Sequence, residues 1–157
     1  MVHVSSLLIP AAMLFPNLLF MVWPPKSMPG LKDLKENVLS KVAEGIGRAG
    51  VVVLPLFSAV RAEGSLDRFA LAVMLLSLGF YVIGWFRYLR GDRQYRLLFA
   101  PILGIPVPMA VMPVLYFMSA SLLLHSVPLL VCSLVLGIGH IPASLRIQRF
   151  LDNHGLT

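Results

Sequence analysis

Charge is the scarcest feature of this sequence. Only 13% of its 157 residues are Asp, Glu, Lys or Arg, while 58% are hydrophobic; an ordinary soluble domain carries roughly 25% charged residues. A water-soluble domain of this size has too little interior to hide that much apolar surface. A soluble globular fold is therefore excluded, and one integral membrane domain is expected.

Cysteine is almost absent as well. Cys132 stands alone, which excludes an intramolecular disulfide and any cysteine-based metal cluster. It lies in an apolar run, where a lone thiol behaves as a small hydrophobe. Acidic residues number seven, and none falls in the core of an apolar run. That argues against a proton-coupled carrier with a mid-membrane carboxylate, though a histidine-based one stays open. No H-E-x-x-H, G-x-S-x-G or paired-carboxylate element is present. His125 and His140 are 15 residues apart, about 22 Å along a continuous helix, too far to share one metal. No cofactor and no metal are expected.

The net charge of +6 comes from short basic segments flanking apolar runs, without the interleaved basic and aromatic residues of a nucleic-acid groove. No nucleic-acid partner is expected; anionic lipid headgroups are. Nor does the first apolar run, Val4 to Trp23, read as a cleaved leader. Only His3 precedes it in place of a basic region, and it ends in Trp23-Pro24-Pro25 rather than in small residues. It reads as a retained first span.

What is present is a succession of apolar runs. Spans are expected at about 4–23, 46–60, 69–86, 97–118 and 122–145, with an amphipathic interfacial helix over 31–45. The fold class is thus an all-α bundle of five transmembrane helices. Leu97 to Leu145 is 49 residues without a charge, about 73 Å of helix, so it must fold back once. Ser119-Ala120-Ser121 is the expected reversal, with His125-Ser126 the other choice. The second segment is short, since 12 uncharged residues between Arg48 and Arg61 make about 18 Å against a core of roughly 30 Å. It spans when Ile46-Gly47 joins it and both arginines snorkel.

Charge distribution favours that reading. Five spans place Lys26, Lys32, Lys35, Lys41 and Arg48 on one side, with Arg87, Arg90, Arg93, Arg96, Arg146 and Arg149; only Arg61 and Arg68 face the other. Eleven against two obeys the positive-inside rule. The expected location is a cell membrane, with the N-terminus outside and the C-terminus cytoplasmic. Leu31, Leu34, Val38, Val42 and Ile46 recur at helical spacing among lysines and acids, as in a helix lying in the cytoplasmic headgroup layer.

Gly45-Ile46-Gly47-Arg48-Ala49-Gly50 matches G-x-G-x-x-G, but no strand precedes it and no βαβ unit surrounds it. The match is accidental, and residues such as Ala43 and Gly47, four apart, serve close helix contact instead. The fourth span carries Pro101, Pro106, Pro108 and Pro113 with Gly104. Interior prolines remove backbone bonds and bend or break a helix, and freed carbonyls in hydrocarbon need cover. This helix is expected to be central, kinked or broken, and shielded by its neighbours. The break either holds a ligand or is a bent packing element.

Imidazole in an apolar span is a candidate site by default. His140 lies six residues before Arg146, about 9 Å from the interface, and Asn17 lies at a similar depth in the first span. Glu44, Arg48, Trp85, Arg87, Tyr88 and Arg96 approach the same cytoplasmic rim. Asn17, Arg48, Arg87, Pro106, Pro108 and His140 are the candidate ligand-binding residues. Three functions fit. One is binding or translocation of a small anionic or amphipathic molecule at the broken fourth span. Another is a membrane enzyme acting on a lipid or isoprenoid headgroup, with His140 as acid or base, the arginines on phosphate and Glu44 as the second group. The third is a non-catalytic subunit, pairing with itself or with another membrane subunit.

Overall fold

The computed structural model describes residues 4–30, 37–60 and 63–154, and over them the chain is all-helical, with no strand. Six α-helices follow in order: α1 (Leu8–Leu14), α2 (Leu18–Val22), α3 (Val38–Val53), α4 (Ser65–Arg90), α5 (Pro108–Leu123) and α6 (Val127–Asn153). Single 3-10 turns stand at Val4–Leu7, Phe15–Asn17, Leu54–Phe57 and Tyr95–Leu98.

Proline sets several of these boundaries. Pro16 has no N–H for the carbonyl four residues back, and the chain passes from α1 to α2 through the tighter Phe15–Asn17 turn. Pro55 likewise ends α3 in the Leu54–Phe57 turn. At its start α3 is capped by Asn37, whose side chain accepts from Leu39 N at 3.0 Å. The interfacial helix and the second apolar segment are one helix, a continuity that the spacing up to Ile46 allows: α3 runs through residue 45 unbroken. Residues 31–36 of that interfacial helix, and Arg61, lie outside the described residues.

The fourth span departs further from expectation. Instead of a helix from 97, the chain makes the Tyr95–Leu98 turn and then an irregular stretch to Val107. Ile102 and Ile105 exchange both backbone hydrogen bonds, at 3.2 and 3.0 Å, around Leu103 (φ 50) and Gly104 (φ 81). That is a tight reverse turn of the kind two left-handed residues make. Pro101, Pro106 and Pro108 cannot donate, and each disfavours helix in the residue before it. The helix therefore starts at Pro108, where a missing N–H costs nothing, and Pro113 is the one proline inside it. The reversal after α5 falls at Leu124-His125-Ser126, not at Ser119-Ala120-Ser121. Those three are buried within α5, Ser121 Oγ donating to Met118 O at 2.6 Å. Ser126 then caps α6, accepting from Leu129 N at 3.4 Å, with Pro128 in the first turn.

In the bundle α5 packs between α4 and α6, and α3 packs on α6. α5 is the central helix, burying Ala110, Met112, Tyr116, Phe117, Ala120 and Leu123. α3 and α6 run antiparallel and nearly touch: a Cβ on Gly47 would lie 2.5 Å from Leu136 Cα, and one on Gly139 2.5 Å from Glu44 N. The N-terminal segment lies along α4 and α5, pinned by three tyrosines. Tyr116 donates to Ile9 O at 2.8 Å, Tyr88 to Trp23 O at 2.9 Å, and Tyr81 to Asn17 Oδ1.

These contacts sort the charges. One end of the bundle holds the start of α4 and the α5–α6 turn, joined by His125 Nε2 and Asp67 Oδ1 at 3.4 Å. Asp67 also caps α4, accepting from Gly64 N at 2.9 Å and Glu63 N at 3.2 Å. The other end collects the start of α3, the ends of α4 and α6 and the irregular stretch. It carries Lys41, Arg87, Arg90, Arg93, Arg146 and Arg149, and Lys26 bonds Asp92 there. Arg68 is the basic residue described at the first end.

Among the described residues two helices, α4 and α6, are long and apolar enough to cross a membrane; the segment Leu8–Val22 and α5 are apolar but shorter. The core helix of a soluble domain would be mostly buried, whereas only 33% of the most apolar stretch of α4 and 28% of that of α6 is covered. Leu76, Ile83 and Phe86 of α4 and Val131 and Ile138 of α6 point outward. So do Val38, Val42 and Ile46 of α3, the apolar stripe read from the sequence.

Candidate functional site

A cavity of about 510 Å³ lies among the N-terminal segment, α3, α4, α5 and α6. That is within the usual range for a small-molecule site. Its walls are mostly apolar: Met13 and Phe20 from the N-terminal segment, Met109, Pro113 and Phe117 from α5, and Leu136 from α6. Leu98 and Phe99 line it from the stretch before α5. The broken segment thus supplies a wall, because it turns back over the bundle instead of continuing as helix.

Polar groups are few and grouped. Asn17, Arg48 and His140, three of the residues expected at the site, all line the cavity, joined by Tyr81, Trp85 and Ser144. Asn17 is brought in by the 3-10 turn at Pro16 and is engaged through Oδ1 by the Tyr81 hydroxyl. Tyr81, Trp85 and Tyr88 recur at helical spacing on the inner face of α4. Trp85 meets Tyr81 edge-on at 6.3 Å and Tyr88 at 5.6 Å between ring centroids. Its indole N–H is buried beside the Tyr81 hydroxyl, whose oxygen can accept from it.

The cluster on the other wall joins α3 to α6. His140 Nδ1 lies 3.0 Å from Glu44 Oε1, and Arg48 Nη2 donates to the same oxygen at 2.5 Å. One turn along, Arg146 Nη2 donates to Ser40 Oγ at 3.0 Å. The close approach at Gly139 makes this possible, since it sets the neighbouring His140 directly against Glu44. His140 Nε2 makes no hydrogen bond among the described residues. The geometry gives one imidazole oriented by a carboxylate and a guanidinium whose charge that same carboxylate balances.

Three expected residues lie elsewhere. Arg87 donates to Ala100 O at 3.3 Å and Pro101 O at 2.9 Å, anchoring the stretch before α5 rather than facing the cavity. Pro106 is exposed in that stretch, and Pro108 is buried at the first turn of α5; neither lines the cavity. The prolines shape the site from one step away. Tyr81 was not among the expected residues, although it stands four before Trp85 on one helix face, a spacing that marks a shared side. Among the described residues no three His, Cys, Asp or Glu side chains come together as a metal site.

Comparisons with protein-family models, with curated proteins and with solved structures find no match. The functional reading therefore rests on this geometry.

Proposed function

We propose that this protein is a multi-pass membrane protein that binds, and by extension translocates, a small amphipathic molecule in the cavity between its N-terminal segment and α3–α6. One observation carries the reading: an apolar cavity of about 510 Å³ whose few polar side chains, Asn17, Tyr81, Trp85, Arg48 and His140, converge on it. Such an arrangement buries an apolar body and orients one polar end. The proposed setting is a bundle of five crossings, with the basic end and the C-terminus in the cytoplasm. The outward apolar side chains and the gathering of arginines at one end support it. α3 with its closing 3-10 turn measures about 32 Å, enough for the second crossing. α5, at about 24 Å, falls short of a roughly 30 Å core, and local thinning of the bilayer would accommodate it.

Trp23 and Trp85 are the only tryptophans, so Trp23→Phe leaves a single reporter on the cavity wall. In nanodiscs, a single-chain amphiphile carrying a nitroxide should quench Trp85 saturably, and an unlabelled competitor should reverse the quenching. Quenching that rises linearly, as for a tryptophan placed on the lipid face at Val131 in a chain lacking both native tryptophans, would defeat the reading. Cysteines introduced at Asp92 and Glu63 in a Cys132→Ser background should react with a membrane-impermeant maleimide from opposite sides.

A second reading has its own support. The 3.0 Å contact between His140 and Glu44 is the arrangement of an acid–base pair, with Nε2 free to exchange a proton. On that reading the protein acts on a lipid headgroup. Glu44→Gln should then abolish turnover of a labelled lipid extract while leaving Trp85 quenching intact.

A further inference from the structure

We infer that Ser144 is a nucleophile, and that Ser144, His140 and Glu44 form a hydroxyl–imidazole–carboxylate series that hydrolyses the acyl ester of a long-chain lipid. This rests on the second reading above, the Glu44–His140 pair acting on a lipid, and names its nucleophile and the bond attacked.

Among the described residues six serines are buried. Ser6 donates to Ser58 O, Ser77 to Val73 O at 2.8 Å, Ser121 to Met118 O at 2.6 Å and Ser133 to Leu129 O at 2.7 Å. Ser119 and Ser144 make no hydrogen bond there, and of these two only Ser144 lines the cavity. Its oxygen is not sealed in among neighbours, so its hydroxyl is the unbonded one that a molecule in the cavity can meet.

Ser144 stands four residues after His140 on α6. Side chains at that spacing are neighbours, with Cβ atoms about 5–6 Å apart, and the Cα–Cβ bond of Ser144 tilts back toward His140. His140 turns Nδ1 to Glu44 Oε1 at 3.0 Å and leaves Nε2 unbonded. Nε2 is the ring atom left for a hydroxyl one turn away. Their contact is open, as catalytic hydrogen bonds often are before substrate binds. Arg48 holds the same Glu44 oxygen at 2.5 Å, so the carboxylate that orients the ring is itself fixed. Glu44 is a positioning residue in a series of roles that recurs on unrelated folds.

Depth selects the bond. Ser144 lies two residues before Arg146, about 3 Å along the helix, so in the proposed setting it sits where acyl chains meet headgroups and water enters. The acyl esters of a glycerolipid lie at that level. Met13, Phe20 and Phe117 offer the chain an apolar bed. Ser144 Oγ attacks the ester carbonyl carbon while its proton passes to His140 Nε2. The carbonyl re-forms, the bond to the alcohol oxygen breaks, and that oxygen takes the proton from Nε2. Water from the headgroup layer then attacks the acyl-serine and gives its proton to Nε2. The C–Oγ bond breaks, Oγ recovers the proton, and a fatty acid leaves. The Asn17 amide N–H2, unbonded among the described residues, is an uncharged donor in the same cavity for the oxyanion.

The experiment uses the full chain with Cys132→Ser, in nanodiscs of ether-linked lipid that carry no ester. The probes are p-nitrophenyl decanoate and a decyl fluorophosphonate. The fluorophosphonate should modify one residue, and peptide mass spectrometry should place it at Ser144. Ser144→Ala and His140→Gln should each lower kcat at least about 100-fold. Glu44→Gln should lower kcat and kcat/KM equally. Ser144→Cys should gain the mass of one decanoyl group as a thioester, which a serine outside the chemistry would not give. Thermal midpoints check folding; should Ser144→Ala fail to fold, the labelled residue and the Ser144→Cys thioester decide. Full turnover in folded Ser144→Ala, or labelling at another serine, overturns the inference. If Glu44→Gln still abolishes that turnover, the acid–base pair stands, with water as its nucleophile. Neither labelling nor turnover in the Cys132→Ser protein overturns the inference, and the labelled lipid extract then judges the second reading alone.

Discussion

Replacing Gly139 by alanine tests the contact that assembles the site. The added Cβ would lie 2.5 Å from Glu44 N, 2.6 Å from Ser40 O and 2.9 Å from Glu44 Cα. Ordinary carbon contacts fall near 3.5–4.0 Å, and all three neighbours are backbone, so no side-chain rotation relieves the clash. α3 must move from α6 by about 1 Å. Overpacking of this kind costs about 1–3 kcal/mol. The same shift would stretch His140 Nδ1···Glu44 Oε1 from 3.0 Å beyond hydrogen-bond range. Gly79 is the internal control. It sits in α4 with nothing within 4 Å of a Cβ, and alanine there should be neutral or stabilising by up to about 1 kcal/mol, as helix propensity dictates. Unfolding in mixed dodecyl maltoside and SDS micelles measures both variants. Gly47→Ala, whose Cβ would meet the Leu136 backbone at 2.5 Å, should behave like Gly139→Ala. If Gly139→Ala and Gly79→Ala have the same midpoint, α3 does not pack on α6 at these glycines, and the Glu44–His140 contact falls with that packing.

Three further outcomes follow from named contacts. Arg87→Gln should loosen the stretch before α5, costing about 1 kcal/mol once the partial exposure of the arginine is allowed for. Faster amide exchange confined to 99–107 would show it, whereas a uniform change would refute the anchoring role. Tyr116→Phe removes the buried bond to Ile9 O and should cost about 1 kcal/mol, with earlier proteolysis near residues 24–30; an unchanged cleavage rate would refute the pinning. Leu76→Arg places a charge on the outward face of α4 near its middle and should cost about 2.5–3.5 kcal/mol of membrane insertion. Leu103→Arg, in the reverse turn where Leu103 is 85% exposed, should cost far less in the same glycosylation-based insertion assay. Equal effects would place both residues in the same medium.

The legible part of the fold was whatever depends on composition and strong local chemistry. Uncharged runs marked α4 and α6, and the density of prolines marked α5 as unusual and central. The turn before α6 was only the second choice in the sequence, since Ser119-Ala120-Ser121 looked better suited to a loop than His125-Ser126. What separated them is that a serine hydroxyl can bond back to its own helix carbonyl, as Ser121 does to Met118. Three small polar residues then cost a helix little, and they become packing surface. The continuity of α3 through residue 45 was open in the sequence, because the helical spacing of apolar residues carries on to Ile46 at the head of the second apolar run. The changeover from charged to apolar sequence is a change of solvent, not of backbone conformation, and a helix crosses it unbroken.

The site was legible as depth but not as direction. Asn17 and His140 were marked by polarity at matching distances from an interface, and both line one cavity, on different walls. Arg48 and Arg87 were marked by charge, and charge alone does not say whether a guanidinium is free. Arg87 reaches two loop carbonyls that no periodicity could reveal, because they belong to a non-helical stretch. Arg48 is different. Glu44 stands four residues before it, the spacing and order that favour an ion pair on one helix face. That pairing was present in the sequence all along, and it removes the net positive charge on which an anionic ligand was expected to depend. The cavity wall then holds one imidazole oriented by a carboxylate and one arginine whose charge that carboxylate balances. Under the proposed reading, neither arginine is then a free anchor for a ligand's polar end.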